Sequence, residues 1–282
     1  MTQVDVLLPV RDGGKMLLPA VESVLMQTGV ALHLWVIDDG SVDGAPERLP
    51  EDSRLTVLRT GGAGVVRALE QGFAAGVAPL VARQDADDVS LPDRLRRQVQ
   101  HLDAHPEIGL VGTAFEILVG ASVVGICADG PWNALERNPF CAGSILVRRE
   151  VWRAAGGVRE VPNAEDYDLW LRCAEIAGVS ILAEPGYRYR VHAGMASLRW
   201  AGRSARAAAA VQAAARARLA GLPDPLRLGL QLPEQPEDPE VLAWWAREFA
   251  ALGAEKDAAL CRRTLGPEFD VAPPLQPQAS WS

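Results

Sequence analysis

Short apolar segments alternate with segments of helical periodicity over most of this chain, and that alternation constrains its fold more than any other feature of the sequence. The first pair is "VDVLLPV" at 4–10, followed by Leu17, Val21 and Val24 at helical spacing. The pattern continues through "LHLWVID", "RLTVLR", "GVVRALEQGFAAG" and "PLVAR". Near-continuous apolar strands joined by helices predict a mostly parallel sheet flanked by helices, a Rossmann-like α/β fold.

Aspartates follow several predicted strands, at the points where the chain leaves each apolar run. They are Asp12, Asp38, Asp39, Asp85, Asp87 and Asp88. The carboxyl ends of parallel strands meet at one edge of a sheet, where ligands bind, so we expect these side chains to converge. Carboxylate oxygens are the ligands that Mg²⁺ and Mn²⁺ prefer, and "DADD" at 85–88 therefore predicts a metal site. A solvated acidic loop is the alternative.

The segment "NAEDYDLWLR" predicts a helix with Asn163 as its N-cap and acids in its first turn. Asp166 is a candidate general base, with a simple helix-dipole role as the alternative. Asp168 and Arg172, at i and i+4, are expected to form a surface ion pair.

His192 follows the last predicted strand, in "YRYRVH". A neutral imidazole binds divalent metals, so His192 is a candidate ligand, and a purely structural histidine is the alternative. Arg190, two residues earlier, could contact a phosphate or a carboxylate.

Beyond residue 198 the composition shifts to alanine and arginine in "RSARAAAAVQAAARARLAG". This predicts a helix that packs against the rest of the protein or a second subunit, with an arginine-bearing membrane contact as the alternative. The proline-rich segment 222–238 predicts a linker, and a helical hairpin around Trp244-Trp245 is expected to serve packing or self-association. We therefore expect a catalytic domain at 1–198 and a helical C-terminal extension at 199–282.

Charge and cysteine usage narrow the class of protein. A formal net charge of −8 provides no basic stripe for nucleic acid. The four cysteines include no CxxC pair, so neither a disulfide framework nor a thiolate zinc site is indicated. No apolar run approaches the length of a membrane span and no signal segment is recognised, so we expect a cytoplasmic protein, with peripheral contact to the inner membrane face left open.

Several motifs occur in the order seen in one known family. They are "LLPVRDGGKMLLPAVESVLMQT", "VIDDGSVDG", "VARQDADDVSLPDRLRRQVQHLDAHPEIGLVGT", "GSILVRREVWRAAGG", "AEDYDLWLR" and "YRYRVH". Over about residues 3–198 the chain resembles the family 2 glycosyltransferases of the GT-A fold. The resemblance implies a nucleotide-sugar donor, with a UDP-sugar as the first expectation, and Mn²⁺ or Mg²⁺ as cofactor. It also implies inversion at the anomeric carbon and a carbohydrate or glycolipid acceptor, in surface polysaccharide or glycoconjugate synthesis.

Roles for individual residues follow from this resemblance by position. The implied nucleotide-binding residues are Pro9, Asp12, Asp38, Asp39, Asp85 and Arg67. The implied metal ligands are Asp85, Asp87, Asp88 and His192. Asp166 matches the base of the family's "ED" motif, with Glu165 beside it near the sugar or acceptor. Asp12 and Glu70 stand where many relatives have asparagine, so nucleotide contacts could differ from the family pattern.

Other functions remain as alternatives. A nucleotidyltransferase would also use clustered acids, but "VRDGGK" is a poor glycine-rich basic loop. In "RTGGAGVVR", which resembles a dinucleotide-binding loop, Arg67 replaces the third glycine. A non-catalytic nucleotide-sugar-binding protein is the more serious alternative, although Asp87 and Asp166 are both retained.

Overall fold

A computed structural model describes residues 2–127, 135, 138–192, 194–195, 201–221, 224 and 226–227. Its strands are β1 (Gln3–Val10), β2 (Ala31–Asp38), β3 (Leu55–Arg59), β4 (Leu80–Arg83), β5 (Val89–Ser90), β6 (Ile108–Val119), β7 (Ser122–Cys127), β8 (Leu146–Arg148) and β9 (Gly178–Val191). Its α-helices are α1 (Leu17–Leu25), α2 (Val65–Ala75), α3 (Arg94–Ala104), α4 (Arg149–Ala154), α5 (Glu165–Ala174) and α6 (Ala201–Leu219). Single 3-10 turns lie at Gly14–Met16, Pro46–Arg48 and Ala142–Ser144.

The strands form one sheet in the order β3-β2-β1-β4-β8-β6-β9-β5, with β7 beside β6. The strands from β3 to β4 pair in parallel, as the alternating sequence pattern predicts. Beyond β4 the sheet is mixed, because β8 runs antiparallel to both β4 and β6 while β6 and β9 are parallel. The predicted α/β sheet flanked by helices is thereby confirmed.

Successive residues of the central strands face opposite sides of the sheet, and each side has its own core. Val6 and Leu8 of β1 pack with the buried residues of α1 and α3 on one face. Leu7 packs with Leu69 of α2 and Trp170 of α5 on the other. Both cores hold the parallel strands in place, and so fix where their carboxyl ends lie.

Two local predictions differ from the structure. The sequence at 120–140 has no clear periodicity and predicts an irregular segment, yet Ser122–Cys127 forms β7. β7 has a weak apolar pattern interrupted by Gly125, and its hydrogen bonds come from β6, which periodicity does not reveal. The predicted N-cap Asn163 is also wrong: Asn163 has a φ of 65°, and the cap position belongs to Ala164.

The helix predicted after residue 198 is α6, and it packs against α5. Ala207, Val211 and Ala215 of α6 join Tyr167 and Leu171 of α5 in a third apolar cluster. None of the helices described here is long and apolar enough to cross a bilayer. The hairpin predicted around Trp244-Trp245 and most of the predicted linker lie outside the described residues.

Candidate active site

A cleft of about 940 Å³ opens at the edge of the sheet where β1 and β4 end, between that edge, the N-terminus of α5 and the end of β9. Nine of the residues predicted for the site line it: Pro9, Asp12, Asp39, Asp85, Asp87, Asp88, Glu165, Asp166 and His192. The carboxylates that are scattered along the sequence therefore share one hollow.

Two predicted nucleotide-binding residues are not on the wall of this cleft. Asp38 is buried, and its carboxylate accepts the backbone N–H of Ser41 at 2.8 Å, so it stabilises its own turn. Arg67 is exposed and lies on a different face of α2 from Val65 and Ala68, which do line the cleft. On a helix, residues three apart share a face and residues two apart do not.

The loops after β1 and β2 are joined at Asp12. Its backbone N–H donates to Ser41 Oγ at 3.0 Å, and its Oδ1 accepts the N–H of Val42 at 2.8 Å. Asp12 has a φ of 54°, in the left-handed region that aspartate and asparagine tolerate better than other side chains. Aspartate can therefore replace asparagine here without loss of the loop.

Glu70, the other departure from the family pattern, lies away from the nucleotide pocket. Its Oε1 accepts the N–H of Val158 at 2.8 Å, on the loop that leads to α5. The expectation that Glu70 alters nucleotide contacts is therefore wrong, because this carboxylate belongs to the support of α5. The pattern around "ALEQG" shows only that the residue is on a helix, not which loop packs against it.

The "DADD" loop holds its three carboxylates differently. Asp85 Oδ1 accepts from Arg83 Nε at 2.9 Å, and Asp88 Oδ1 accepts the backbone N–H of Arg190 at 2.7 Å. Asp87 Oδ2 lies 2.9 Å from His192 Nε2. Burial, followed by the charges of Asp87 and Asp85, raises the pKa of Asp88 well above its usual value. The loop thus carries unfavourable negative charge that a cation would offset.

The predicted four-ligand metal site is not assembled. Within the part of the chain that is described, no three His, Cys, Asp or Glu side chains are grouped so as to hold a metal ion. One oxygen each of Asp85 and Asp88 is engaged by the contacts given above, whereas Asp87 and His192 contact each other directly. A carboxylate and an imidazole at this separation fit a Mn²⁺ or Mg²⁺ ion, which typically takes few protein ligands and completes its shell with water and phosphate oxygens.

The N-terminus of α5 brings Glu165 and Asp166 to the same cleft. Asp166 Oδ1 accepts the N–H of Tyr167 at 2.7 Å, and Asn138 Nδ2 lies 3.4 Å from its Oδ2. Glu165 Oε1 is 3.9 Å from Arg83 Nη1. Burial, with the nearby charge of Asp166, raises the pKa of Glu165 from 4.5 to about 7, although Arg83 partly offsets this.

This raised pKa predicts a dependence of stability on pH. Between pH 4.5 and about 7 the unfolded chain loses the Glu165 proton while the folded chain keeps it, so the free energy of unfolding falls as pH rises. The Glu165→Gln variant lacks this group. From the low to the high end of this pH window, its free energy of unfolding should therefore rise relative to that of the wild type by on the order of 3 kcal/mol. Urea unfolding in EDTA at both ends of the window measures the difference. A gap between the two proteins that does not change with pH would contradict the prediction.

Asp168 and Arg172 form an ion pair, but the expectation of a surface pair is wrong. Asp168 is fully buried and accepts from Arg172 Nη2 at 2.6 Å and from Arg159 Nε at 2.8 Å. Arg159 also donates to Asp224 at 2.7 Å, and Arg218 of α6 donates to the same carboxylate at 2.9 Å. The i,i+4 spacing predicts the pair but not which face of the helix is covered.

Sequence reasoning missed two residues that support the acidic loop. Arg83 ends the apolar run "PLVAR", and an arginine there, directly before acids, was a signal that could have been used. Tyr187 is fully buried, and its hydroxyl accepts the N–H of Asp85 at 3.1 Å. Nothing in "GYRYR" distinguishes that tyrosine from its neighbours, because the contact joins residues 102 positions apart.

Comparison with known proteins agrees with this architecture. Residues 5–122 match the family model "Glycosyl transferase family 2". The putative glycosyltransferase EpsE of Bacillus subtilis (strain 168) is 29% identical, over 61% of this chain and 67% of the relative. The amylovoran biosynthesis glycosyltransferase AmsE of Erwinia amylovora is 28% identical, over 46% of this chain and 51% of the relative. The chain spans about half to two thirds of the length of these curated relatives.

The fold is also that of a solved glycosyltransferase. The crystal structure of S. aureus TarS 1-349 in complex with UDP-GlcNAc matches with a TM-score of 0.57 and 14% identity, over 96% of this chain and 95% of that one. At this identity the match speaks for the fold alone. The match to the family model spans residues 5–122 of the 282-residue chain, and with the curated relatives it shows that this part of the chain is similar to glycosyl transferase family 2.

Proposed function

We propose that this chain transfers a sugar from a nucleoside diphosphate donor to an acceptor hydroxyl, with inversion at the anomeric carbon. The observation that carries this proposal is the single cleft in which the pair Asp87–His192 and the carboxylate of Asp166 both lie. Such a reaction needs a group that steadies a leaving diphosphate and a base for the incoming hydroxyl. The pair Asp87–His192 and Asp166 are the candidates for these two roles, and both line this cleft.

The donor's nucleotide and diphosphate would bind at the sheet edge. Asp12 and Asp39 line the side of the cleft formed by the loops after β1 and β2, where carboxylates can accept N–H or hydroxyl donors from a nucleoside. Asp87 and His192 would hold the Mn²⁺ or Mg²⁺ ion. Such an ion, when bound, stabilises the negative charge that develops on the leaving diphosphate.

Asp166 is the proposed general base. Its carboxylate is held in the cleft by the Tyr167 N–H at 2.7 Å and by Asn138 Nδ2 at 3.4 Å. Asp166 would take the proton from the acceptor hydroxyl as that oxygen attacks the anomeric carbon opposite the diphosphate. A single displacement of this kind inverts the anomeric centre and requires no covalent intermediate on the protein.

The names of two relatives suggest the biological setting. AmsE is named for amylovoran biosynthesis, and a relative from Rhizobium meliloti, ExoO, for succinoglycan biosynthesis. We therefore propose a carbohydrate or glycolipid acceptor in surface polysaccharide synthesis, with the reaction on the cytoplasmic side of the membrane. A UDP-sugar is the first donor to test.

A screen of nucleotide sugars with Mn²⁺, Mg²⁺ or EDTA tests the reaction. We expect metal-dependent release of nucleoside diphosphate from one donor, and loss of about 100-fold or more in rate for Asp87→Ala and His192→Ala. Asp103→Ala changes an exposed aspartate of α3 and is the matched control. Metal-dependent binding of a nucleotide sugar without turnover, even with carbohydrate acceptors added, would instead favour a non-catalytic binding protein.

A further inference from the structure

Arg83 occupies a distinctive place in this cleft. It ends β4, lines the cleft wall, and its side chain is only 11% exposed. Burial lowers its pKa, but the charges of Asp85, Glu165 and Asp166 outweigh that effect and raise the pKa above its usual value. Arg83 is therefore a permanent cation in a pocket of carboxylates.

The guanidinium of Arg83 retains hydrogen-bonding capacity. Its Nε is used by Asp85 at 2.9 Å, whereas its Nη1 lies 3.9 Å from Glu165 Oε1, too far for a hydrogen bond. Arg83 makes no further side-chain hydrogen bond to the described residues, yet a guanidinium carries five N–H donors. The terminal N–H groups and the Glu165 carboxylate thus face each other across a gap.

A hydroxyl group can bind beside this pair. An oxygen displaced from the line that joins the two atoms lies about 2.8 Å from both, accepting from Arg83 and donating to Glu165. The anomeric carbon of the transferred sugar is bonded to the diphosphate, near Asp87 and His192, and is attacked by the acceptor hydroxyl, near Asp166. Arg83 contacts Asp85 of the "DADD" loop and approaches Glu165, the neighbour of Asp166, so both residues line the cleft wall beside the place where the sugar ring would sit.

We propose that Arg83 and Glu165 recognise a hydroxyl of the transferred sugar and that the cleft selects neutral sugars over hexuronates. This rests on the proposed function. A sugar carboxylate placed beside Asp85, Glu165 and Asp166 would be repelled by three negative charges. The one guanidinium nearby already neutralises part of that charge. Because these groups are partly buried, solvent and salt screen the repulsion less than they would at the surface.

Matched donors test the selection directly. With Mn²⁺ at pH 8, where Glu165 is ionised, dissociation constants are measured for UDP, UDP-glucose and UDP-glucuronate, and for GDP, GDP-mannose and GDP-mannuronate. We expect the neutral donor on the preferred base to bind at least about 100-fold more tightly than its uronate partner. Turnover, where present, should show the same order. Equal affinities within the matched pair would overturn the proposal.

Two variants separate recognition from general damage to the fold. Arg83→Gln should weaken binding of the neutral donor by about 10-fold or more, with affinity for the free nucleoside diphosphate unchanged. Glu165→Gln should reduce the discrimination against the uronate, because it removes one repelling charge. Arg54→Gln makes the same change at an arginine that pairs with Asp52 outside the cleft, and should alter neither property.

The outcomes distinguish this proposal from the proposed sugar-transfer function on which it rests. A neutral donor that binds and is turned over, while Arg83→Gln retains its full affinity, overturns the sugar recognition only. Failure of every nucleotide and nucleotide sugar to bind overturns both. If circular dichroism shows that Arg83→Gln is unfolded, Arg83→Lys, which keeps the charge, and Glu165→Gln decide the question.

Discussion

Asparagine in place of Asp166 is expected to slow sugar transfer by about 10²–10⁴-fold. The amide keeps the size of the carboxylate and can still accept the N–H of Tyr167, but it cannot take a proton from the acceptor. The effect should fall on kcat, since the donor is held elsewhere in the cleft. Steady-state kinetics of Asp166→Asn with the donor identified by the screen, at saturating metal, measures it.

The control for this variant is its stability. Asp166 is only partly buried, and thermal unfolding of Asp166→Asn should match that of the wild type closely. Donor binding should likewise be retained. A variant that keeps at least half of the wild-type kcat would show that Asp166 is not the base, and Glu165 would then be the neighbouring carboxylate to examine.

Two residues further along the same helix, Asp168→Asn is expected to lower the stability of the protein rather than its catalytic rate. Its carboxylate is fully buried and neutralises both Arg159 and Arg172. Removing the charge leaves two largely buried guanidinium groups without their shared partner, a change that typically costs about 3–5 kcal/mol in free energy of unfolding. For a chain of this size the expected fall in melting temperature is about 5–10 °C.

Chemical denaturation and calorimetry of Asp168→Asn measure this loss. Asp103→Asn provides the matched control, because Asp103 is exposed and its replacement should change stability by less than about 0.5 kcal/mol. A loss below about 1 kcal/mol for Asp168→Asn would mean that Arg159 finds sufficient compensation in Asp224. The turnover per folded molecule should remain measurable, since Asp168 lies outside the cleft wall.

The contrast between these neighbours shows how α5 serves the site. One turn of helix presents Glu165 and Asp166 to the cleft and Asp168 to a buried ion network. That network continues through Asp224 to Arg218 of α6, while Gln212 of α6 donates to the hydroxyl of Tyr167 at 3.1 Å. The helix that carries the proposed base is thus held by contacts with the following segment of the chain.

Much of the site could be predicted because its chemistry is local. The acids of "DADD" and "AEDYD" follow recognisable strand or helix signals, and nine of the eleven predicted residues line one cleft. Asp38 and Arg67 do not line this cleft, because position in a motif does not tell where a side chain points, and their nucleotide contacts stay predictions. Asp38 turns into its own loop, and Arg67 lies on another face of α2.

By itself the sequence determined the alternation of strands and helices, the likeness to a known family, and the gathering of acids at the strand ends, since each depends on periodicity or short motifs. Only the tertiary structure decided that Asp168 is buried, that Glu70 supports the loop before α5, and that Arg83 lies between Asp85 and Glu165. Burial and ion pairing are set by which surfaces pack together. Those surfaces belong to residues as far apart as positions 83 and 165, a relation that no local pattern contains.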